Sequence, residues 1–503
     1  MPKQFTVVQN PLFLADFPDP CVINVGGTYY MSSTSMHFMP GIPIMRSYDL
    51  AHWEIVSYVY ETLLDNDAHN LQNGQNIYGA GSWATCLRYH NDWFYVCFNS
   101  NDAGNTFVYR THDIENGPWE RAILSGSHHD PSLLFDDDEK VYLVYGCGTI
   151  YIKELEPDAM SVKPEGVQQV LVQTPKVPSL NCEGSHFHKI NGQYYLMMIQ
   201  WPLTGNNRRI QWCYRCDTLL GKYIGCVVFD DDLDASNRGV AQGGLFEAQD
   251  GNWFAMLFQD HGAVGRCPIL LPVEWDDGWP IPGKNKKTPK NFILPYEEHD
   301  AKPFIQSDEF DYEKTKLSPV WQWNHNPDSN AWSLNERMGW LRLKNIQTVS
   351  CFERARNMLT QRTIGPVCVF WTKLDTSGMI NGDCAGLAAL QSVFGLIGVQ
   401  ISPEGKRVIY VIGEGENETL LASFPFESNI IYLRIQFNFL SESDTAEFSY
   451  STDGKNWREA GEKLHLQFRL THFTGYHAAL CSYALERAGG YADFDYLRVQ
   501  TIN

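Results

Sequence analysis

Five positions in the first half of the chain carry residues suited to chemistry, and all five stand at the same place in a repeated pattern. They are Asp19, Trp83, Asp130, Glu183 and Gln242, and each precedes an aromatic residue by eleven or twelve positions. Three are carboxylic acids. Converging carboxylates suit the hydrolysis of a glycosidic bond, in which one protonates the leaving oxygen and another activates water or attacks the sugar. A third can raise the pKa of the proton donor and orient it.

The elements that position these residues follow from the repeat itself. Each copy has a polar start, a short apolar run, a tight turn and a second run that ends in an aromatic residue. The five aromatic residues are Tyr30, Tyr95, Tyr142, Tyr195 and Phe254. Turn pairs such as Gly26-Gly27 and Asn191-Gly192 predict a β-hairpin at the start of each copy. Five hairpins at a period of 47 to 65 residues predict a five-bladed β-propeller, whose innermost strands would bring the five opening residues together at one end of the central channel.

Composition excludes several classes of partner. The net charge is 39 − 59 = −20 with no long basic run, so we predict no nucleic-acid partner. No apolar run reaches the ~18 residues of a membrane helix, so we predict no membrane partner. The first residues lack the order of a signal peptide, and the cysteines are odd in number, 13, and lie in apolar runs. We therefore expect a cytoplasmic rather than a secreted protein. Nothing in the sequence indicates the oligomeric state.

Metal binding is the competing use of converging acids, because hard cations take oxygen ligands. The histidines do not cluster in support of a transition metal. His128 and His129 are adjacent, so at most one can face the channel. We interpret this pair as part of a loop or of a pocket wall, and we expect the chemistry to require no cofactor.

The second half of the chain has a different pattern. Pro280, Pro282 and a lysine-rich run mark a connector between about 280 and 302. The short alternating strands that follow, such as Gly339–Leu343, suit a two-sheet sandwich. We therefore predict an all-β protein with a five-bladed β-propeller at 1–302 and a β-sandwich at 303–503.

The motifs around the acids resemble glycoside hydrolase family 43. They include Phe17-Pro18-Asp19-Pro20, Asp130-Pro131-Ser132 and Glu183-Gly184, and the likeness continues to Arg266 and so spans almost the whole predicted propeller. The second half, with Trp321 to Asp328, looks like the concanavalin-like β-sandwich that β-xylosidase and α-L-arabinofuranosidase members carry.

This resemblance implies an exo-acting, inverting hydrolase. Asp19 would be the general base, Asp130 the residue that modulates pKa and orientation, and Glu183 the general acid. The usual substrates of the family are terminal α-L-arabinofuranosyl and β-D-xylosyl units of plant cell-wall oligosaccharides and polysaccharides, that is, of hemicellulose. The positions that match its sugar pocket are Trp83, Phe38, Gln242 and Arg266.

A bound calcium ion is suggested only by the same resemblance. Many members have a histidine beside the ion or water site on the propeller axis where this chain has Ala241, so the likeness does not extend to an axial calcium. Asp308 and Asp495, near the two ends of the sandwich, resemble a structural calcium site.

Two alternatives stay open at this point. A retaining fructan hydrolase would share the architecture and the three acids, although its Asn-Asp-Pro-Asn-Gly opening is absent. A non-catalytic carbohydrate-binding protein would keep the pocket without needing all three acids.

Overall fold

The computed structural model describes residues 5–312, 316–440 and 443–502, and its regular structure is almost entirely β-strand. In those ranges the helical segments are two 3-10 turns, Gly262–Val264 and Phe352–Arg354. No helix in the described chain has the length and apolar character needed to cross a membrane. The predicted all-β class is confirmed.

The first half forms five four-stranded blades. Blade 1 contains β2, β3, β5 and β6, and each later blade takes four consecutive strands, β7–β10, β11–β14, β15–β18 and β19–β22. The strands of this half are β1 (Thr6–Gln9), β2 (Cys21–Val25), β3 (Thr28–Ser32), β4 (Phe38–Met39), β5 (Gly41–Ser47), β6 (Glu54–Tyr60), β7 (Thr85–His90), β8 (Trp93–Ser100), β9 (Asn105–Thr111), β10 (Glu120–Ser125), β11 (Ser132–Phe135), β12 (Val141–Cys147), β13 (Thr149–Leu155), β14 (Gln168–Gln173), β15 (Leu180–Ile190), β16 (Gln193–Trp201), β17 (Ile210–Cys216), β18 (Ile224–Phe229), β19 (Ala241–Glu247), β20 (Trp253–Asp260), β21 (Arg266–Asp276), β22 (Trp279–Pro282) and β23 (Asn291–Leu294).

Local chemistry explains the hairpins that open the blades. Gly26 and Gly27 have φ of 61° and 87°, and Asn191 and Gly192 have φ of 51° and 79°. Two consecutive residues with positive φ form the type I′ turn, whose twist matches that of the flanking strands. The aromatic residues that follow these turns pack between neighbouring blades; Tyr95, for example, is buried in the core shared by blades 2 and 3. The repeat seen in the sequence therefore places one aromatic layer at each blade interface.

A short strand pair ties together the two ends of the propeller segment. β1 pairs antiparallel with β23, with Thr6 opposite Leu294. Val8 and Leu294 both lie in the core shared by blade 1 and blade 5. The ring is thus closed by packing and by this pair, and not by a blade that mixes strands from both ends.

The second half forms a sandwich of two large antiparallel sheets. One sheet has the order β32-β31-β30-β29-β37-β27-β24-β4, and the other has the order β25-β26-β38-β28-β33-β34-β35, with β36 also on β34. The strands are β24 (Gln322–Asn324), β25 (Trp332–Ser333), β26 (Leu341–Lys344), β27 (Leu359–Arg362), β28 (Val367–Asp375), β29 (Asp383–Leu390), β30 (Val393–Ser402), β31 (Gly405–Glu414), β32 (Asn417–Pro425), β33 (Ile430–Asn438), β34 (Thr445–Ser451), β35 (Arg458–Glu459), β36 (Leu464–His465), β37 (His477–Ala484) and β38 (Tyr491–Ile502).

One strand of the first half belongs to the sandwich. β4 lies between two strands of blade 1, yet it is the edge strand of the first sandwich sheet, with Phe38 opposite Asn324 of β24. The division at 302/303 stays a prediction along the chain, and in space the sandwich sheet also includes Phe38 and Met39 of the first half.

Candidate active site

The three predicted acids lie at the starts of innermost strands. Asp19 and Asp130 lie two residues before β2 and β11, and Glu183 is the fourth residue of β15. Asp19 and Asp130 are each 5% exposed, and their φ angles are 54° and 46°. A non-glycine residue in this region costs about 1–3 kcal/mol and persists where the surroundings enforce it, most often at functional sites. The fold therefore holds both carboxylates in unusual, fixed orientations.

Asp19 is held between a hydroxyl and a guanidinium. Thr34 Oγ1 donates to Asp19 Oδ2 at 2.7 Å, and Arg266 Nη1 lies 3.5 Å from the same oxygen. Both donors contact the same carboxylate oxygen and so fix the orientation of the group that would act as a general base. Thr34 was not predicted from the sequence, because only the fold of the blade 1 hairpin brings it to Asp19.

Asp130, His129 and Glu183 form a charged cluster beside Asp19. His129 Nε2 lies 3.0 Å from Glu183 Oε2 and 3.5 Å from Asp130 Oδ2, while the backbone N–H of Gly184 donates to Asp130 Oδ2 at 2.9 Å. Burial raises the pKa of Asp130, and the nearby charges of Glu183 and Asp19 raise it further, against the opposing effect of His129. Burial lowers the pKa of His129. The attraction of three neighbouring carboxylates, those of Asp130, Glu183 and Asp19, is larger than this effect and raises the pKa of the imidazole to about 9.

His129 is therefore a candidate functional residue that the sequence interpretation left as part of a loop or of a pocket wall. The two adjacent histidines face opposite ways, although both lie in the loop between β10 and β11 and not on a strand. His128 is buried between blades, with Thr106 Oγ1 2.8 Å from its Nδ1, whereas His129 faces the acids. The ligand atoms of His129, Asp130 and Glu183 lie within 4.8 Å of one another. Because Nε2 contacts both carboxylates and the imidazole favours its protonated form, the cluster already contains a balancing cation.

The pocket wall combines one aromatic residue from each half of the chain. Trp83 is half-buried, and its ring centroid lies 5.9 Å from that of Phe473 and 6.0 Å from that of His129. Phe473 belongs to the segment between β36 and β37, residues 466–476, called here the sandwich loop. A Cβ on Gly79 would lie 2.5 Å from the Thr471 carbonyl oxygen, so Gly79 permits the close approach of this loop to the segment before Trp83. The sandwich therefore supplies one edge of the pocket.

Arg266 links the loop to the acids. Its Nη2 donates to the Phe473 carbonyl at 3.1 Å, its guanidinium lies 4.3 Å from the centroid of the Phe473 ring, and its Nη1 faces Asp19. Phe473 has φ of 56°, a strained conformation for an aromatic residue. Neither Phe473 nor its loop carries a motif, so the sequence alone gave no signal for this contribution.

Gln242 lies beside Glu183, with which it shares the opening position of the repeat. It has φ of 65°, and its backbone N–H donates to Gln211 Oε1 at 2.7 Å. A Cβ on Gly184 would lie 2.8 Å from Gln242 Cγ. The structure thus packs Gln242 against the peptide that follows Glu183.

Phe38 does not lie in the pocket wall, and the sequence assignment of this residue needs correction. Its side chain is 2% exposed and stacks on His477 of the sandwich, with ring centroids 3.9 Å apart. Phe38 belongs to a core cluster otherwise made of sandwich residues. The residue of this segment that approaches the pocket is Met36, which pairs with Ser82 next to Trp83. The pairing of β4 with the sandwich turns Phe38 away from the acids.

An arginine bridges the innermost strands of the propeller. Arg88 of blade 2 donates to the carbonyl of Leu133 at 2.9 Å, to Ser132 Oγ at 3.0 Å and to the carbonyl of Phe187 at 3.2 Å. It therefore links the innermost strands of blades 2, 3 and 4. Ala241, where many relatives are expected to carry a histidine, is buried in blade 5.

The pair proposed for calcium does not fit that ion. Asp308 accepts from the backbone N–H of Phe310 at 2.8 Å, from Trp321 Nε1 at 2.7 Å and from the Tyr312 hydroxyl. Asp495 forms an ion pair with Lys373 at 2.8 Å. Calcium requires six to eight oxygen ligands, whereas here N–H, O–H and ammonium donors occupy both carboxylates. The Asp308 carboxylate thus fixes Phe310 and Trp321 at the start of the sandwich, and Asp495 of β38 pairs with β28.

A five-bladed propeller with three acids at its channel mouth and a sandwich that completes the pocket defines a glycoside hydrolase. Residues 8–280 match the glycosyl hydrolases family 43, and residues 307–500 match the β-xylosidase C-terminal concanavalin A-like domain. The chain therefore belongs to glycosyl hydrolase family 43. This membership confirms the predicted family and enzyme class over the fructan hydrolase and binding-protein alternatives.

Known relatives agree with this assignment over most of the chain. A β-xylosidase of Formosa agariphila is 30% identical across 97% of this chain and 89% of its own length. A non-reducing end α-L-arabinofuranosidase of Bacteroides ovatus, BoGH43B, is 28% identical over 67% of this chain and 64% of its own. A solved structure described as a bifunctional GH43-CE protein of Bacteroides eggerthii superposes with a TM-score of 0.93 at 42% identity and covers 99% of this chain. This chain spans 64% of the length of that protein.

Proposed function

We propose that this protein is an exo-acting, inverting hydrolase that releases terminal β-D-xylosyl and α-L-arabinofuranosyl units from hemicellulose oligosaccharides or polysaccharides. The observation that carries the proposal is the combination of three acids at the channel mouth with a pocket edge built by the sandwich loop. Phe473 packs against Trp83 and Arg266 on one side of the acids. A pocket bounded in this way suits the end of a chain better than its middle.

We propose a role for each acid, and its contacts support that role. Asp19, oriented by Thr34 and Arg266, takes the proton of the attacking water. Glu183 protonates the leaving oxygen, and the contact of His129 Nε2 with its Oε2 orients this carboxyl group. Asp130 and His129 form an ion pair next to Glu183, so that their charges offset one another while they orient the acid.

The choice of sugar is supported by the relatives. The relative from Formosa agariphila, which matches along 97% of this chain, is named a β-xylosidase, whereas BoGH43B is named an α-L-arabinofuranosidase. Both substrates end in a five-carbon sugar, and we propose that one pocket accepts both.

Leaving-group dependence separates the acid from the base. In Glu183→Gln, hydrolysis of xylobiose should fall by about 10²–10⁴-fold, whereas hydrolysis of 2,4-dinitrophenyl β-D-xylopyranoside should fall far less, because dinitrophenolate departs without protonation. In Asp19→Asn the two substrates should lose activity equally, because both need an activated water.

Matched controls for these variants are Glu274→Gln and Asp276→Asn, which change exposed acids at the end of β21 and should leave both rates unchanged. Equal losses on the two substrates in Glu183→Gln would refute its role as the acid. Pentose binding without turnover by the wild-type protein would refute the enzymatic proposal itself.

A further inference from the structure

Asp16 is a buried carboxylate next to the site, and the mechanism above does not use it. It stands three residues before Asp19 and is 7% exposed. Its Oδ1 accepts the backbone N–H of Arg266 at 2.7 Å, and its Oδ2 accepts the backbone N–H of Gly475 in the sandwich loop at 2.8 Å. One carboxylate thus joins the propeller strand that begins with Arg266 to the loop that carries Phe473.

The surroundings are shaped to admit this carboxylate. A Cβ on Gly265 would lie 2.3 Å from Asp16 Oδ1, and a Cβ on Gly475 would lie 2.9 Å from the Asp16 Cβ and 2.2 Å from the Val264 carbonyl oxygen. Glycine on both sides is therefore a steric requirement of the contact. The two residues belong to different halves of the chain, so that the fit depends on how the halves dock.

Two further hydrogen bonds hold the Asp16–Phe17 segment, one from the sandwich and one to the propeller. Arg362 Nε of the sandwich donates to the Asp16 carbonyl at 3.3 Å, and the backbone N–H of Phe17 donates to the Arg266 carbonyl at 3.0 Å. Arg266 is thus held at its N–H by Asp16 and at its carbonyl by Phe17, while its guanidinium faces Asp19 and the Phe473 carbonyl.

We propose that Asp16 is a positioning residue that locks the sandwich loop onto the propeller and thereby sets the placement of Phe473 and Arg266 around the terminal sugar. The inference deepens the proposed function of this pocket and rests on it for its kinetic part. Asp16 itself touches neither the sugar nor the reacting atoms. A buried carboxylate that accepts backbone N–H groups from two units loses a strong contact when either acceptor oxygen is replaced.

The substitution Asp16→Asn keeps the shape of the side chain but replaces one of its two acceptor oxygens with an NH₂ group. One of the two backbone N–H groups, that of Arg266 or that of Gly475, then loses its acceptor. The loop should withdraw, and kcat/KM for nitrophenyl β-D-xylopyranoside should fall by about 10–100-fold, the usual penalty for misplacing a pocket residue by about 1 Å. Gly475→Ala, which displaces the loop without altering the carboxylate, should reproduce the loss.

Asp49→Asn is the matched control, because Asp49 is a buried acceptor of backbone N–H groups within blade 1. It should lower the melting temperature without changing kcat/KM.

A double-mutant cycle distinguishes positioning from a general loss of stability. If Asp16 acts through the loop, Asp16→Asn should have little further effect in a Phe473→Ala background, because the two changes remove the same contribution. Additive losses in kcat/KM, or an Asp16→Asn enzyme within twofold of wild type, would overturn the proposal.

Hydrogen–deuterium exchange on the intact chain supplies a readout that needs no turnover. Exchange of the Gly475 amide should quicken by about tenfold or more in Asp16→Asn, because its acceptor is lost, while control amides in blade 3 stay unchanged. If wild-type protein hydrolysed neither pentoside, the proposed function would fail but this exchange experiment would still decide the role of Asp16. Unchanged exchange at Gly475 would contradict that role.

Discussion

At the scale of residues, the site depends on conformations that the backbone disfavours. Asp19, Asp130 and Gln242 occupy equivalent positions in three blades, and all three have positive φ. The propeller repeat thus provides a recurrent strained position at the start of the innermost strand. In two of these blades the position carries one of the acids proposed to act in catalysis, so the strain is a property of the architecture that the proposed chemistry would use.

The raised pKa of His129 leads to a prediction about stability. The folded pKa, about 9, exceeds the unfolded value of about 6.5, so the stabilisation by His129 is complete below about pH 6.5 and is lost as the pH rises to about 9. The melting temperature of wild type should therefore exceed that of His129→Gln most clearly at pH 6, and the difference should shrink toward pH 9. The exposed His465→Gln serves as the control. A difference that grew with pH would contradict the assigned charge.

At the scale of elements, β4 explains why one sequence assignment failed. Phe38 stands in a segment that resembles the pocket wall of relatives, but its side chain packs into the sandwich. The three acids could be predicted because each is anchored to a local repeat. The positions of Phe473, Asp16 and Phe38 depend on the contact between the propeller and the sandwich. No local sequence pattern predicts that contact.

The position of Phe38 makes a testable contrast with Trp83. Phe38→Ala should destabilise the protein by about 3–5 kcal/mol, the usual cost of emptying a buried phenylalanine site, and should leave kcat/KM of the folded enzyme nearly unchanged. Trp83→Ala should do the reverse, because Trp83 is half-buried at the pocket. Denaturant unfolding and steady-state kinetics of both variants check this. A large fall in kcat/KM of Phe38→Ala without a loss of stability would show that Phe38 lines the pocket.

At the scale of the whole molecule, buried histidines lie where the propeller meets the sandwich. The ring centroids of His37 and His472 are 5.5 Å apart, and those of His37 and His325 are 5.1 Å apart. Neither ring nitrogen of His37 has a hydrogen-bond partner among the described residues. Burial lowers the pKa of all three, and for His37 and His325 the charges of neighbouring histidines lower it further; Glu353 opposes the effect at His472. His37 precedes the β4 residue Phe38, and His472 precedes Phe473.

Acid should therefore weaken the interface. Below about pH 6.5 the unfolded chain binds protons that the folded chain excludes, so stability falls by at most about 1.4 kcal/mol per pH unit for each such histidine. His37→Leu should flatten the acid side of the melting-temperature profile between pH 6.5 and 4.5 and leave the neutral side nearly unchanged. Parallel profiles for wild type and His37→Leu would show that His37 is not a source of the acid sensitivity.

The measurement that tests the central proposal most directly is proton NMR of the first minutes of hydrolysis of nitrophenyl β-D-xylopyranoside and nitrophenyl α-L-arabinofuranoside. An inverting mechanism predicts that α-D-xylose and β-L-arabinofuranose appear first. The variants Asp19→Asn and Glu183→Gln should release these sugars more slowly than the wild-type enzyme. Initial release of β-D-xylose or α-L-arabinofuranose, or no sugar from either substrate, would contradict an inverting pentosidase that uses Asp19 and Glu183.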